Sequence, residues 1–299
     1  MSIRSRLAML VVALALPAGL LALAVAYNAY RDQRAATERS LQETTRALAL
    51  AVDREIAKVE ATARILAGSS SLVRGDLAAF YAEALAVTDQ RQWVALYDRS
   101  RLLLHTREPL GTPLPGLDPP RQLVAAVLDR DQPVLSDVHR SPVVGDWVLS
   151  YGAPAHIHGR ARYGVSVAFD PKLLERVFQE QRLEPRWVAA ILDRRGTIIA
   201  RTRDPERFVG RPASPLLAAG ALRGSEHPLE TTTVEGLAVL TALSRSPTYG
   251  LTFAIGVPLE DVRAIGRQAL VNAALGTGLL LVAAIALALL IANGIVRPI

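Results

Sequence analysis

Two stretches decide the fold: Trp93-Val-Ala-Leu-Tyr-Asp98-Arg-Ser-Arg-Leu-Leu-Leu-His-Thr106-Arg107 and Trp187-Val-Ala-Ala-Ile-Leu-Asp193-Arg-Arg-Gly196-Thr-Ile-Ile-Ala-Arg-Thr202-Arg203. Each is an apolar, β-prone run, a short polar turn after an aspartate, and a second apolar run closing on Thr-Arg. Anchored on Asp98 and Asp193 the offset is 95 residues. Similarity at a domain-sized offset implies two related units and not a solenoid.

The segments after each hairpin share one outline. Behind the first lie a Pro- and Gly-rich loop at 107–120, a helix over Arg121 to Asp129, and strands at Val134 to His139, Trp147 to Ala153 and Tyr163 to Phe169. Asp170-Pro171 then starts a helix to about Gln181. Behind the second lie short helical pieces at 204–209 and 214–222 and strands at 227–234, 237–245 and 250–257. Short connections between successive strands make both sheets antiparallel. Pro258 opens a further helix.

Upstream, residues 31–67 read as one helix. Leu41, Thr45, Leu48, Val52, Ile56, Val59, Ala63 and Leu66 recur at spacings of three and four, and no Pro or Gly intervenes before Gly68. At about 1.5 Å per residue this helix reaches roughly 55 Å. Its stripe packs on its own domain, or part of it also meets a second copy. Gly68-Ser-Ser-Ser breaks the helix, and Asp76 is placed to cap the next one. That role accounts for the tripeptide Arg74-Gly75-Asp76 without cell adhesion.

The outermost segments are apolar. Residues 7–30 and 268–296 carry no charge, and about 20 such residues span a bilayer as a helix. Ala24-Val25-Ala26 would suit signal-peptide cleavage, but the apolar run exceeds the roughly 7–15 residues of a signal core, so an uncleaved anchor is expected. Arg4 and Arg6 before the first span and Arg297 after the second place both termini in the cytoplasm and residues 31–268 outside.

With 299 residues, 51% apolar and 21% charged, the chain is neither disordered nor fibrous. Zero cysteines exclude disulfides, thiolate metal sites and cysteine nucleophiles. The net charge of +6 falls to +3 over residues 31–268 and is scattered in sign, unlike a nucleic-acid-binding face. No phosphate-binding glycine loop, zinc-protease helix motif or nucleophile elbow occurs, so no catalytic residue and no cofactor is assigned. His156 and His158 could chelate a metal on a strand, but they precede Gly159-Arg160 and read as a solvated turn, so no metal is assigned.

A ligand pocket is the better search: apolar walls with a few converging polar groups. Trp147, Leu149 and Tyr151 share a strand face by period two, Tyr97 lies on a neighbouring strand, and Arg107 and Arg140 could meet a carboxylate. The ligand-binding candidates are therefore Tyr97, Arg107, Arg140, Trp147 and Tyr151, with the loops at 107–120 and 139–146 placed to close over the Trp147 and Tyr151 face. The competing reading is that strand aromatics are core.

The paired hairpins, the exit Tyr163-Gly-Val-Ser-Val-Ala-Phe-Asp-Pro and Phe253-Ala-Ile-Gly-Val-Pro258 together resemble a PAS-like fold in two copies, a double Cache sensor domain over residues 31–268. The closing Ile295-Val-Arg-Pro-Ile299 resembles the start of a HAMP relay, and Asp204-Pro-Glu-Arg-Phe-Val-Gly-Arg-Pro212 is similar to membrane-proximal units of sensor histidine kinases. The resemblance implies an α+β fold: two tandem Cache units with antiparallel sheets on a long N-terminal helix, flanked by two transmembrane helices. The division is 1–6 cytoplasmic, 7–30 first span, 31–69 long helix, 70–181 membrane-distal unit, 182–268 membrane-proximal unit, 269–295 second span and 296–299 HAMP-like start. It further implies a bacterial inner-membrane receptor with a periplasmic sensor, a small-molecule ligand, lipid and a second copy as partners, and no nucleic acid. A histidine kinase is the implied output, with a chemotaxis receptor, a diguanylate cyclase or a tethered non-signalling protein as alternatives. Amino-acid-binding members carry an acidic residue near the last strand of the distal unit. Here Val167-Ala168-Phe169 stands there and Asp170 is placed to cap the next helix, which argues against amino-acid sensing.

Overall fold

The structure, a computed structural model, describes residues 3–296 apart from 117, 118, 182, 225 and 227. His227 and the Arg297-Pro298 pair lie outside the described residues. The chain divides into two compact units, Leu41–Val257 and the paired segments Met1–Ser40 with Pro258–Ile299.

Helix α1 runs from Ile3 to Ala67 without a break, so the first apolar stretch and the 31–67 helix are one element. Pro17 lies within it. Of the helical stripe, Leu41, Thr45, Leu48, Val52, Ile56, Val59, Ala63 and Leu66 are all buried, so the stripe packs on its own chain. Exposed Leu50 and Ile65 lie off that stripe. Short α2 (Ser70–Arg74) and α3 (Leu77–Val87) come next, the latter capped by Asp76, whose Oδ1 accepts the Ala79 N–H at 2.9 Å.

The first sheet comprises β1 (Gln92–Tyr97), β2 (Leu102–His105), β3 (Val134–Leu135), β4 (His139–Arg140), β5 (Trp147–Ile157) and β6 (Arg160–Phe169), with α4 (Arg121–Leu128) between β2 and β3. Its order is β2-β1-β6-β5-β3, with β4 also on β5. Helix α5 (Lys172–Glu180) leads to the second part of the chain: β7 (Val188–Leu192), β8 (Ile198–Arg201), α6 (Pro205–Phe208), α7 (Pro215–Arg223), β9 (Leu229–Thr232), β10 (Ala238–Arg245) and β11 (Thr252–Pro258). The sheet order there, β8-β7-β11-β10-β9, is the order of the first sheet once β4 is set aside. The registered pairings in both are antiparallel.

The two hairpins share one bonding scheme, with one more residue in the second turn. Asp98 Oδ1 accepts the N–H groups of Ser100 and Arg101, and Asp193 Oδ1 those of Arg195 and Thr197. Val94 N–H donates to Thr106 Oγ1 at 2.9 Å, and Ala189 N–H to Thr202 Oγ1 at 3.0 Å. The register slips between Leu96 and Tyr97 in one and between Ile191 and Leu192 in the other. The aspartate thus fixes the turn, and the threonine replaces a carbonyl at the strand end.

One expectation needs correction. The strand expected over Val134 to His139 is two short strands. The Ser150 N–H donates to Ser136 Oγ, a side chain standing in for a ladder carbonyl, and the pairing breaks there. His158 and Gly159 form the two-residue β5–β6 turn with φ of 50° and 76°, while His156 Nε2 meets Asp131 Oδ1 at 2.8 Å.

Helix α8 (Leu259–Val296) continues directly from β11. Within the unit it shares with the start of α1, a Cβ on Gly19 would lie 2.7 Å from Thr277 Cγ2, so the two helices approach closely where Gly19 lacks a side chain. Among the described residues no helix is long and apolar enough to cross a membrane. Many side chains of the uncharged stretches 7–30 and 269–295 fall outside that description.

Candidate functional site

Each face of the first sheet has a different cover. Ala95 and Tyr97 pair with Ser166 and Gly164, and these with Gly152 and Pro154, so all share one face. Against it lies α4, since a Cβ on Gly152 would meet Val127 and Leu123. The ring of Tyr97 lies directly on Gly164, 2.3 Å from where a Cβ would stand, so only glycine fits under it. Ala95, Tyr97, Leu102, Leu123, Val124, Val127 and Leu128 form a packed apolar cluster. Leu114 of the 107–120 loop and Val143 of the 139–146 loop pack onto it. The two long loops thus each send a residue to the Tyr97 face, and not to the Trp147 and Tyr151 face over which they were expected to close.

Two hydroxyls on this face, those of Tyr97 and Ser166, are buried with no hydrogen-bond partner. Burial pushes the Tyr97 phenol well above its usual range. A buried unpaired hydroxyl costs about 1–3 kcal/mol.

The other candidates are not brought together with Tyr97. Tyr151 pairs with Val167, which pairs with Val94, placing it on the opposite face. Strand β6 lies between β1 and β5, so Tyr97 is not on a strand adjacent to Tyr151. Tyr151 meets Tyr249 edge-on, with ring centroids 6.4 Å apart at 82°. Tyr249 Oη donates to Glu60 Oε2 at 2.8 Å. Burial and the Glu60 carboxylate push Tyr151 up to about 12. Burial acts to raise Glu60, but hydrogen bonds from Tyr249, Tyr151 and Arg64 prevail and hold it below the usual range. Trp147 lies on Gly210 of the second sheet's segment, where a Cβ would stand 2.2 Å from Trp147 Cε2. Trp147 and Tyr151 thus contact the second half of the chain, away from the Tyr97 cluster. Arg107 lies just past β2 and Arg140 sits on β4, at opposite sides of the sheet, and Arg140 is exposed. Asp170 Oδ1 accepts the Lys172 N–H at 2.8 Å, the capping role expected of it.

Ser166 is not among the five candidates. A lone polar residue in Val165-Ser166-Val167, on the same side as Gly164, is the signal in the sequence that points to it. Arg194 is absent from them too, because it reads as a turn residue. It donates to Asp137 Oδ1 at 2.9 Å and to the Leu135 carbonyl at 2.8 Å, beside a cavity of about 420 Å³ that Arg130 and Arg195 also line.

No family model matches the sequence, and a search of curated proteins finds no match. Solved structures do match. The extracellular domain assigned to histidine kinase rpHK1S-Z16 superposes with a TM-score of 0.60 at 18% identity, over 76% of this chain and 97% of that one. The ligand-binding domain of the Campylobacter jejuni chemoreceptor Tlp3, in complex with L-valine, gives 0.55 at 11% identity, over 78% and 97%. The V. cholerae histidine kinase DctB sensor domain gives 0.54 at 11%, over 76% and 98%. The fold is that of a double Cache sensor domain. In double Cache terms the sheet β1–β6 is the first unit and β7–β11 the second.

Proposed function

We propose that this chain is the ligand-sensing and membrane-spanning module of a bacterial receptor. Residues 7–30 and 269–295 cross the inner membrane, both termini are cytoplasmic, and residues 31–268 form the periplasmic sensor. The uncharged stretches and the flanking Arg4, Arg6 and Arg297 support this topology. The unit 70–181 is membrane-distal and holds a small molecule; 182–268 is membrane-proximal and transmits. A second copy pairs with the first, and Arg297-Pro298 opens a HAMP-like relay. Similarity of 204–212 to histidine-kinase proximal units favours that output over a chemoreceptor.

The observation that carries the ligand assignment is the pair of unpaired buried hydroxyls, Tyr97 and Ser166, on the face that α4 covers and Leu114 and Val143 of the two long loops reach. Of the five candidates, Tyr97 is therefore retained in the ligand role with Ser166 added. Trp147 and Tyr151 are proposed to carry the response to the proximal unit, and Arg107 and Arg140 to guide an anionic ligand toward the loops. The test is a thermal-shift screen of small carboxylates, amines and sugars on the full chain in lipid nanodiscs, repeated with Tyr97→Phe. A hit whose affinity is unchanged in Tyr97→Phe and in Ser166→Ala moves the ligand elsewhere. Reporter fusions after residue 299 that are active only in the periplasm refute the topology.

A further inference from the structure

A basic cavity lies where the two halves of Leu41–Val257 meet. It holds about 420 Å³ between α4, the β3–β4 connection and the β7–β8 turn. Leu123, Ala126 and Val134 give it an apolar wall, and both halves supply its charge. Arg130 and Asp137 come from the first half, Arg194 and Arg195 from the second. Arg194 and Asp137 already match each other: Arg194 Nε donates to Asp137 Oδ1 at 2.9 Å, and its Nη2 to the Leu135 carbonyl at 2.8 Å. That pair leaves the guanidiniums of Arg130 and Arg195 without a carboxylate partner among the described residues.

Both of these arginines stand on fixed backbone. The Arg130 N–H donates to the Ala125 carbonyl at 3.1 Å, closing the end of α4. The Arg195 N–H donates to Asp193 Oδ1 at 2.9 Å, inside the turn. Asp193 is itself buried and its Oδ1 also accepts the Thr197 N–H, so its carboxylate is spent on the turn. The charge left over is two guanidiniums, one from each half. Both side chains are exposed, so each alone would hold a monovalent anion only weakly. Each presents a fork of N–H donors and no acceptor. A lone carboxylate has two oxygens and fills one fork. A phosphate group has the oxygens and the second charge to meet both. The volume leaves room for a substituent on the phosphate.

We propose that this cavity binds a phosphate dianion, free or as a monoester, between Arg130 and Arg195. The anion joins the end of α4 to the Asp193 turn, beside the Arg194–Asp137 tie, and braces the two halves against each other. The site is separate from the Tyr97 and Ser166 hydroxyls and does not depend on them.

The test is calorimetric titration of the full chain in phosphatidylcholine nanodiscs with sodium phosphate, glycerol 3-phosphate and acetate, at constant ionic strength and about pH 8, where a phosphate is a dianion. Phosphate and glycerol 3-phosphate are expected to saturate, and acetate not to. Tighter binding of glycerol 3-phosphate assigns the site to a monoester, and tighter binding of phosphate to the free ion. Arg130→Gln and Arg195→Gln should each weaken phosphate roughly tenfold, the loss of charge-assisted hydrogen bonds from one guanidinium, and together abolish binding. Neither side chain has a partner to lose among the described residues, so the variants keep their fold, which circular dichroism checks. Phosphate should also raise the thermal midpoint of the parent and not of the double variant. Arg176→Gln, exposed on α5, should leave the affinity unchanged. No saturable binding of either phosphate compound overturns the proposal. Binding unchanged in the double variant, or weakened as much by Arg176→Gln, would mean general attraction to a basic surface and overturns it equally.

Discussion

Removing the Tyr97 hydroxyl should stabilise the empty protein. The side chain is fully buried, its ring rests on Gly164, and its hydroxyl has no partner. Phenylalanine keeps the ring, its contacts and nearly all its volume, so the only change is loss of a desolvated polar group. Leaving such a group unpaired costs about 1–3 kcal/mol, and Tyr97→Phe should recover the lower part of that range. For a folded unit of this size, about 1 kcal/mol raises the midpoint by roughly 2–4 °C. Urea denaturation of the full chain in nanodiscs, monitored by far-ultraviolet circular dichroism, measures it as an increased midpoint with unchanged slope. A loss of about 1 kcal/mol or more would refute the reasoning, because it would mean that the hydroxyl is satisfied in the packed cluster. The same variant should be the weaker binder of any distal ligand, so stability and affinity move in opposite directions.

Two further variants probe the packing between elements. Burial pushes the Asp53 carboxyl up, against a hydrogen bond from Ser246 Oγ at 2.9 Å. A folded value raised above the ordinary 3.8 means that its stabilising share is fully present below about that pH and is lost as pH rises through the folded value. Asp53→Asn should then gain stability at neutral pH and flatten that part of the profile; an Asn variant with the parental pH dependence in chemical denaturation would contradict this. Gly210→Ala puts a side chain at a φ of 78° and drives its Cβ into Trp147, which together should cost about 2–4 kcal/mol. Adding Trp147→Phe should restore part of the loss in thermal denaturation, and no restoration would place the strain in the backbone alone.

The architecture is legible in the sequence where local chemistry repeats. Asp98 and Asp193 fold their turns with their own carboxylates, and Thr106 and Thr202 close the strands, so the short-range pattern carries the two-unit organisation intact. The buried stripe of α1 is equally visible, because a helix packed along a core must be apolar at every third or fourth residue. The site is less so. Period two places Trp147 and Tyr151 on one face, but which face a ligand would use depends on where α4 and α1 pack, and that is set by contacts far apart in sequence. Tyr97 and Tyr151 look alike in the sequence and lie on opposite sides of the sheet. Arg194 and Arg201 read as a turn and a strand end, and their roles come from Asp137 and Glu235, 57 and 34 residues away.

The contacts of those misplaced residues carry their own consequence. Strand β5 touches the second half of the chain at two points of its aromatic face: Trp147 on Gly210, and Tyr151 against Tyr249. The β3–β4 connection adds a third tie, Asp137 and the Leu135 carbonyl holding Arg194. Arg194 belongs to the turn fixed by Asp193, whose register sets Arg201 at the far end of the same hairpin. Tyr249 in turn donates to Glu60 on α1. Gly152, next to Tyr151 on the same strand, lies under Leu123 and Val127 of α4. A shift of α4 against the Tyr97 face therefore loads β5 directly, and through β5 it loads Trp147, Tyr151 and their partners. Close-packed contacts of this kind exchange between discrete arrangements and do not deform smoothly. The Tyr97 cluster, the Glu60 segment of α1 and the second hairpin are thus linked by direct contacts through the aromatic face that period two alone would make a pocket wall.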